Sequence, residues 1–402
     1  MTKVLFDLMA TQPAGSSKYH GGGEYAKTVF FEIVNGKKVE DIVEIFYDKK
    51  RDLDPEIKSI CDKRSILCHD FVSEENLSKL IENNKYDVFY TAMPYVYFKV
   101  SIPQKTRFIY TIHGLRGMEL PFDRVSYEYS RSVFNKKAKK IRDFFLPRNK
   151  FNDFYNQKNN INHLLDVTPN QKILTASYHS KYSLLTFFPN ISENNITVCY
   201  SPEKVVQTIC TNENDVLCKY NVEKSKYILI ISANRWEKNA LRGVCAIDDL
   251  ISKSNMFREH KLKTLVLGVT DKNMYERLIV NKEEFKLVSY VETEELEVLY
   301  KNAYTFLYPS MNEGFGYPPV EAMKYGTVCA CSAIAAITEV CGDAVLYFNP
   351  FDINEIENRI LQTLDNDIRN SIKEKELNRV AEIHCMQSKS LKKIADTIFM
   401  RG

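Results

Sequence analysis

Two carboxylates eight positions apart, Glu313 and Glu321, frame the segment Tyr308-Pro-Ser-Met-Asn-Glu-Gly-Phe-Gly-Tyr-Pro-Pro-Val-Glu-Ala-Met-Lys-Tyr-Gly326. Gly314 and Gly316 flank Phe315, and glycines there let the backbone come close to a ligand. Unpaired N–H groups where a helix begins favour phosphate oxygens. Pro318 and Pro319 suit a first helical turn, and Gly326 suits the position after a last one. Glu321 then falls in the first turn, where a carboxylate also complements the helix dipole. Upstream, an apolar run at Tyr227–Ser232 leads into Ala233-Asn-Arg-Trp-Glu-Lys-Asn-Ala240. Arg235, as a planar fork, and Lys238, as a point charge, would meet a diphosphate there. A solvated basic turn is the plainer alternative.

The elements that must position these residues follow from the hydrophobic pattern. Strands are expected at Val4–Phe6, Ile42–Tyr47, Val88–Tyr90, Phe108–Ile112, Ile173–Ala176 and Thr197–Tyr200. A second set falls at Tyr227–Ser232, Thr264–Gly268, Lys286–Tyr290, Thr305–Tyr308, Thr327–Cys331 and Ala344–Phe348. Helical patterns separate them, at Glu24–Val34, Ser180–Phe187, Ala240–Ile251, Glu294–Asn302, Val320–Tyr325 and Ile353–Leu364. Short apolar strands alternating with helices imply α/β, doubly wound parallel sheets. At 402 residues the chain suits two domains. The pattern weakens between Tyr200 and Lys226, the expected linker. That gives an N-terminal Rossmann-like domain over 1–205 and a C-terminal one over 206–387, facing each other across a cleft. A last helix at about 388–402 is expected to pack back on the first. Ligands in such sheets bind outside the carboxyl ends of the strands.

The Glu313–Glu321 segment resembles the Glu-x7-Glu motif of family 4 glycosyltransferases, which have the GT-B architecture. The stretch Cys331-Ser-Ala-Ile-Ala-Ala-Ile-Thr-Glu-Val-Cys-Gly-Asp-Ala-Val-Leu-Tyr-Phe-Asn-Pro350 continues the resemblance, with Thr338 where the family often has Pro. Arg235-x-x-Lys238-Asn239 resembles the family's donor-diphosphate motif. Ser232 and Ala233 occupy the stretch where the family often has Gly. In the N-terminal half, Gly21-Gly22-Gly23-Glu24 matches the family's Gly-Gly pair, a phosphate or acceptor loop. His113, after Thr111-Ile112, matches a His that reaches towards the donor sugar. The similarity spans nearly the whole chain and is specific from about residue 227 to 350.

The resemblance implies a retaining transfer of a sugar from a nucleotide-diphosphate sugar to a saccharide or lipid-linked acceptor, in cell-surface polysaccharide assembly. Arg235 and Lys238 would stabilise charge on the departing diphosphate. Gly314, Phe315 and Gly316 would line the donor site, Glu321 would accept from ribose hydroxyls, and Glu313 would sit near donor sugar and phosphate. No cofactor or metal is implied, and the leaving phosphate itself would take the acceptor proton. Glu313→Gln and Lys238→Ala are expected to abolish transfer and leave the fold intact. A nucleotide-sugar epimerase and a silent GT-B-like binding subunit remain as alternatives. A dinucleotide-dependent oxidoreductase is disfavoured, because no Gly-x-Gly-x-x-Gly follows the first strand.

Composition narrows the partners. With 55 Lys and Arg against 52 Asp and Glu, the formal net charge is +3, so nothing global points to nucleic acid. No window approaches the roughly 20 apolar residues of a membrane span. A cytoplasmic chain is expected. The ten cysteines include no Cys-x-x-Cys and read as reduced core thiols. Asp52-Leu53-Asp54 lies between Lys49-Lys50-Arg51 and Pro55 and reads as a surface turn rather than a metal site. Residues 134–150 hold seven cations and one acid, Asp143, interleaved with Phe134, Ile141, Phe144, Phe145 and Leu146. Such a helix either lies on an anionic membrane surface, on the inner face of the membrane, or packs its apolar side into the core.

Overall fold

A computed structural model describes residues 1–13, 21–94, 97, 99–130, 133–203 and 212–401. Cys210 and the middle of the expected linker lie outside the described residues. Among the described residues thirteen strands form two sheets, in each of which every pairing is parallel.

The first sheet holds β1 (Lys3–Asp7), β2 (Ile42–Tyr47), β3 (Cys68–Asp70), β4 (Val88–Thr91), β5 (Arg107–Ile112), β6 (Gln171–Thr175) and β7 (Ile196–Val198), in the order β3-β2-β1-β4-β5-β6-β7. The second holds β8 (Tyr227–Ile230), β9 (Lys263–Leu267), β10 (Phe285–Val288), β11 (Thr305–Tyr308), β12 (Cys329–Ser332) and β13 (Leu346–Phe348), in the order β10-β9-β8-β11-β12-β13. The central strands β4, β8 and β11 are buried along their whole length, as strands covered by helices on both faces must be. In each sheet the strand order reverses once, between β1 and β4 and between β8 and β11. Those reversals are where a doubly wound sheet opens a crevice at its carboxyl edge.

The chain divides into two compact units. One comprises Met1–Met118, Tyr155–Val206 and His384–Gly402, and the other Glu119–Phe154 and Gln207–Ile383. The expected boundary near 205 therefore omits an excursion: 119–154 belongs with the second unit. The physical reason is packing. Leu120 and Val125 are buried in the core built by the helix Ala240–Lys253 and its neighbours. Asp123 adds an ion pair to Arg242, at 2.9 and 3.2 Å. The helix Asn366–Ile398 ends in the first unit, where Ile394, Ala395 and Ile398 join the core of β1 and the helix Gly21–Gly36.

One further expectation changes, and one open alternative closes. The helix carrying Glu321 runs Tyr317–Met323 with Gly316 as its N-cap, so Glu321 lies in the second turn and not the first. The basic helix Val133–Phe145 does not put its apolar side in the core. Its inward positions are polar: Asp143 is buried, Lys136 pairs with Glu128, and Lys139 and Lys140 stand over the Tyr127 ring at 5.6 and 5.5 Å. Phe134, Ile141, Phe144, Phe145 and Leu146 all face outwards and are exposed. Among the described residues no helix is long and apolar enough to cross a membrane.

Candidate functional site

The reversal between β8 and β11 brings the two sequence motifs together. Beyond β8 the chain turns at Ser232, whose φ is +59°, in the left-handed region that favours glycine. This is the stretch where the resembled family often has Gly. Gly268, at φ +85° beyond β9, makes the room: a Cβ on it would lie 3.1 Å from Ala233 N and 3.3 Å from Ser232 Cα. The loop then passes Arg235, makes a short turn at Trp236–Lys238 and enters the helix Ala240–Lys253 at Asn239.

Asn239 locks this loop to its neighbours. It is fully buried, and its Nδ2 donates to Pro309 O at 3.1 Å and Pro350 O at 2.8 Å, just beyond β11 and β13. Met311 N donates to Glu237 O at 2.8 Å, a second clasp between the two loops.

The clasp places Lys238 Nζ against the Glu313 carboxylate. Tyr308 OH also reaches that carboxylate, and Ser310 Oγ donates to it at 2.7 Å. Lys238 Nζ lies 3.1 Å from Tyr308 OH. Burial lowers the Lys238 pKa below the usual lysine range, Glu313 opposes that shift, and Arg235 adds to it. For Glu313, burial works upwards, but the Lys238 charge and the three hydrogen bonds outweigh it and hold the carboxyl below its usual range. Burial, with the Glu313 charge, drives the Tyr308 phenol well up, so it stays a neutral donor. The result is a buried pair in which one oxygen, Glu313 Oε1, takes all three donors.

The other expected residues have these places. Arg235 is exposed, with Nε 3.9 Å from Glu237 Oε1. Gly314 and Phe315 continue the loop from Glu313, and the buried Phe315 ring stands edge-on to Tyr317 at 5.2 Å. Gly316 takes φ +99°, a conformation costly for any side chain. Glu321 is half-buried, and its Oε2 accepts from Tyr300 OH at 3.3 Å. Gly22 and Gly23 form the first turn of Gly21–Gly36, and Tyr25 one residue beyond Glu24 packs edge-on against the His113 ring at 4.7 Å. His113 follows β5, and its Nε2 lies 3.0 Å from Ala92 O. A carbonyl only accepts, so that nitrogen carries the proton. Gly22, Gly23 and His113 belong to the first unit, and Arg235, Lys238 and residues 313–321 to the second.

Residues 218–381 match the family model for glycosyl transferases group 1. The match covers β8 to β13 and both clasped loops. The similar curated relatives include two O-antigen chain mannosyltransferases. The O-antigen chain mannosyltransferase B of Escherichia coli is 31% identical over 203 residues, 48% of this chain and 52% of that protein. The O-antigen chain mannosyltransferase RfbU of Salmonella typhimurium is 31% identical over 218 residues, 53% of this chain and 55% of that protein. The chain thus spans about half the length of the curated relatives it matches. A solved glycosyltransferase from Rickettsia africae superposes with a TM-score of 0.62 at 15% identity, over 100% of this chain and 99% of that one. At that identity the likeness is one of fold: two Rossmann-like α/β domains, the GT-B architecture.

Sequence reasoning passes over Asn239, Tyr308, Ser310 and Gly268 as working parts. Asn239, Tyr308 and Ser310 lie inside the motif segments, so their positions are in view. The partners of Asn239, up to 111 residues away, are not. Asp54 also differs from a plain surface turn. Its Oδ1 accepts from Glu56 N at 2.9 Å as a helix cap, and its Oδ2 pairs with Lys27 at 2.8 Å.

Proposed function

We propose that the protein is a retaining glycosyltransferase that moves a sugar from a nucleotide-diphosphate sugar to a saccharide or lipid-linked acceptor, in cell-surface polysaccharide assembly. The observation that carries this reading is the clasp of the β8 and β11 loops, which sets Lys238 against Glu313 at the sheet's reversal with Arg235 exposed beside them. The family match over 218–381 supports it, and the names of the curated relatives make a mannosyl donor the first to test.

The chemistry follows from charge. As the bond from the anomeric carbon to the phosphate oxygen breaks, negative charge grows on the diphosphate. Arg235 and Lys238 meet it without metal or other cofactor, in a site partly closed to water where such charges count for more. Glu313 holds Lys238 in place and favours its charged form. Glu321, held by Tyr300, takes the ribose hydroxyls. The acceptor hydroxyl bonds to the anomeric carbon on the face the phosphate leaves, and its proton passes to the departing phosphate oxygen. For His113 and the Gly22–Gly23 turn the resemblance alone supports a role, and we propose the same one.

We place this activity in the cytoplasm, at an anionic membrane surface. The support is the outward apolar stripe of Val133–Phe145: Phe134, Ile141 and Phe145 recur at i, i+7 and i+11, on one helical face, with cations to either side.

A thermal-shift panel of nucleoside diphosphates tests the donor reading. A ligand at about 100 times its Kd stabilises by about 2.7 kcal/mol. Stabilisation by one of them, lost with Arg235→Ala, is the expected result. A panel in which none stabilises the protein refutes the reading.

A further inference from the structure

Trp236 is the single tryptophan of the chain. It follows Arg235 directly and forms one wall of an open groove of about 650 Å³ within the second unit. Tyr129 gives a second aromatic wall, and its hydroxyl is fixed 3.1 Å from Tyr275 OH. Ser130 adds a hydroxyl, Ser126 lines the groove with its own Oγ buried, and the helix Val133–Phe145 adds two cations, Lys139 and Arg142. Both cations are held. The buried Asp143 carboxylate takes Arg142 Nε and Nη2 at 3.1 and 2.9 Å, and Lys139 Nζ stands 5.6 Å from the Tyr127 ring centre.

We propose that this groove binds a phosphate-bearing saccharide, as the acceptor of the transfer proposed above; the proposal rests on that reading. Aromatic faces suit the C–H face of a pyranose, and the Ser130 hydroxyl suits its rim. Neither needs a cation. Two cations, one a planar fork and one a point charge, on a helix with a single acid suit a phosphate. The groove ends at Trp236, two residues from Lys238, so a sugar lying in it adjoins the loop that carries the donor charge. The groove lies beneath a helix whose other side is apolar and exposed, so the phosphate comes either from a lipid-linked sugar in a membrane or from a free sugar phosphate.

The lone tryptophan makes the groove observable without a label. The full chain is titrated with glucose 1-phosphate, with glucose, and with phosphatidylcholine vesicles carrying a polyprenyl-phosphate-linked glucose, while Trp236 emission is recorded. The expected result is a saturable change with the phosphorylated sugars and none with glucose. In Lys139→Ala combined with Arg142→Ala the Kd rises by about tenfold or more. The same variant keeps its thermal shift with the nucleoside diphosphate, and Lys139→Arg keeps the affinity. Tighter binding of the vesicle-borne sugar assigns the phosphate to a lipid, and equal binding to a soluble sugar phosphate. Silence up to about 10 mM glucose 1-phosphate, or an unchanged Kd in the double variant, overturns the proposal. Loss of nucleoside diphosphate binding in that variant overturns it too, by moving the groove into the donor site. Absence of any nucleoside diphosphate effect in the wild type strikes the transferase reading instead.

Discussion

Lys238 Nζ meets the Glu313 carboxylate across the gap between the loops that follow β8 and β11, with Tyr308 OH 3.1 Å from the same nitrogen. Both side chains are largely buried, which changes what their removal does. Lys238→Ala leaves a buried carboxylate without its cation, and breaking such a pair costs about 3–5 kcal/mol. The expectation that either substitution spares the fold therefore holds better for Glu313→Gln, where Tyr308 and Ser310 keep an acceptor and Lys238 can shed its proton. Urea unfolding of both single variants and the double variant should show a double variant less damaged than the sum. Additive losses would mean the two side chains do not act on each other.

The pair also sets a pH limit. Burial lowers the Lys238 pKa, and Glu313 is the largest influence raising it. Glu313→Gln removes that support, so Lys238 loses its proton at lower pH than in the wild type. Nucleoside diphosphate affinity should then fall off on the alkaline side at lower pH in the variant. Overlapping alkaline limbs in the two proteins would show that Lys238 charge does not govern binding.

Asn239 carries a different load. Its Nδ2 bridges two carbonyls, and its φ of +57° is one that Asn tolerates and most residues do not. Asn239→Ala strands both buried carbonyls and strains the backbone, at a cost of about 2–4 kcal/mol. Asn239→Gly removes the strain but not the stranding, so it should recover part of the loss. Calorimetric midpoints of the two variants decide this; equal midpoints would assign the whole loss to the carbonyls.

These residues mark how far the sequence can be read. The strands β8 and β11 are legible because both sheet faces are covered and their apolar runs are unbroken. Arg235, Lys238 and Glu313 are legible because they follow those strands. The sequence puts Glu321 one turn too early, because the double proline suggests a helix start that Gly316 sets at Tyr317. It leaves the excursion 119–154 in the wrong unit, because the partners that hold it there lie far along the chain, Arg242 being 119 residues beyond Asp123. β3, with Cys68, His69 and Asp70, carries no apolar run, and the His69–Glu44 contact at 2.7 Å that helps hold it is invisible locally.

Glu376 gives a pH test away from the site. It is fully buried on the helix Asn366–Ile398, Oε1 accepts from Cys329 N at 2.9 Å, and Oε2 has no partner among the described residues. Burial raises its pKa to about 8. The folded state thus holds a proton that the unfolded state releases above its ordinary glutamate pKa, so this group subtracts stability as pH rises from about 4.5 towards 8. Glu376→Gln keeps the acceptor for Cys329 N and cannot ionise. The variant should gain on the wild type steadily across that window when denaturant midpoints are compared. Parallel pH profiles would show that Glu376 is ionised in the folded protein.

The inverted helix yields the last prediction. Ile141 and Phe145 are exposed to 60% and 73%, so aspartate at both should leave the unfolding midpoint within about 0.5 kcal/mol of the wild type. The same change removes apolar area that a bilayer would bury and adds two negative charges beside Lys137, Lys140 and Arg142. Each cation near an anionic surface contributes about 1 kcal/mol, a term that salt screens. The wild type should therefore sediment with phosphatidylglycerol vesicles at low salt, less at high salt, and little with phosphatidylcholine. The aspartate variant should stay in solution throughout. A wild type that ignores phosphatidylglycerol vesicles at low salt would remove the membrane from the account and leave the outward stripe to some other cover.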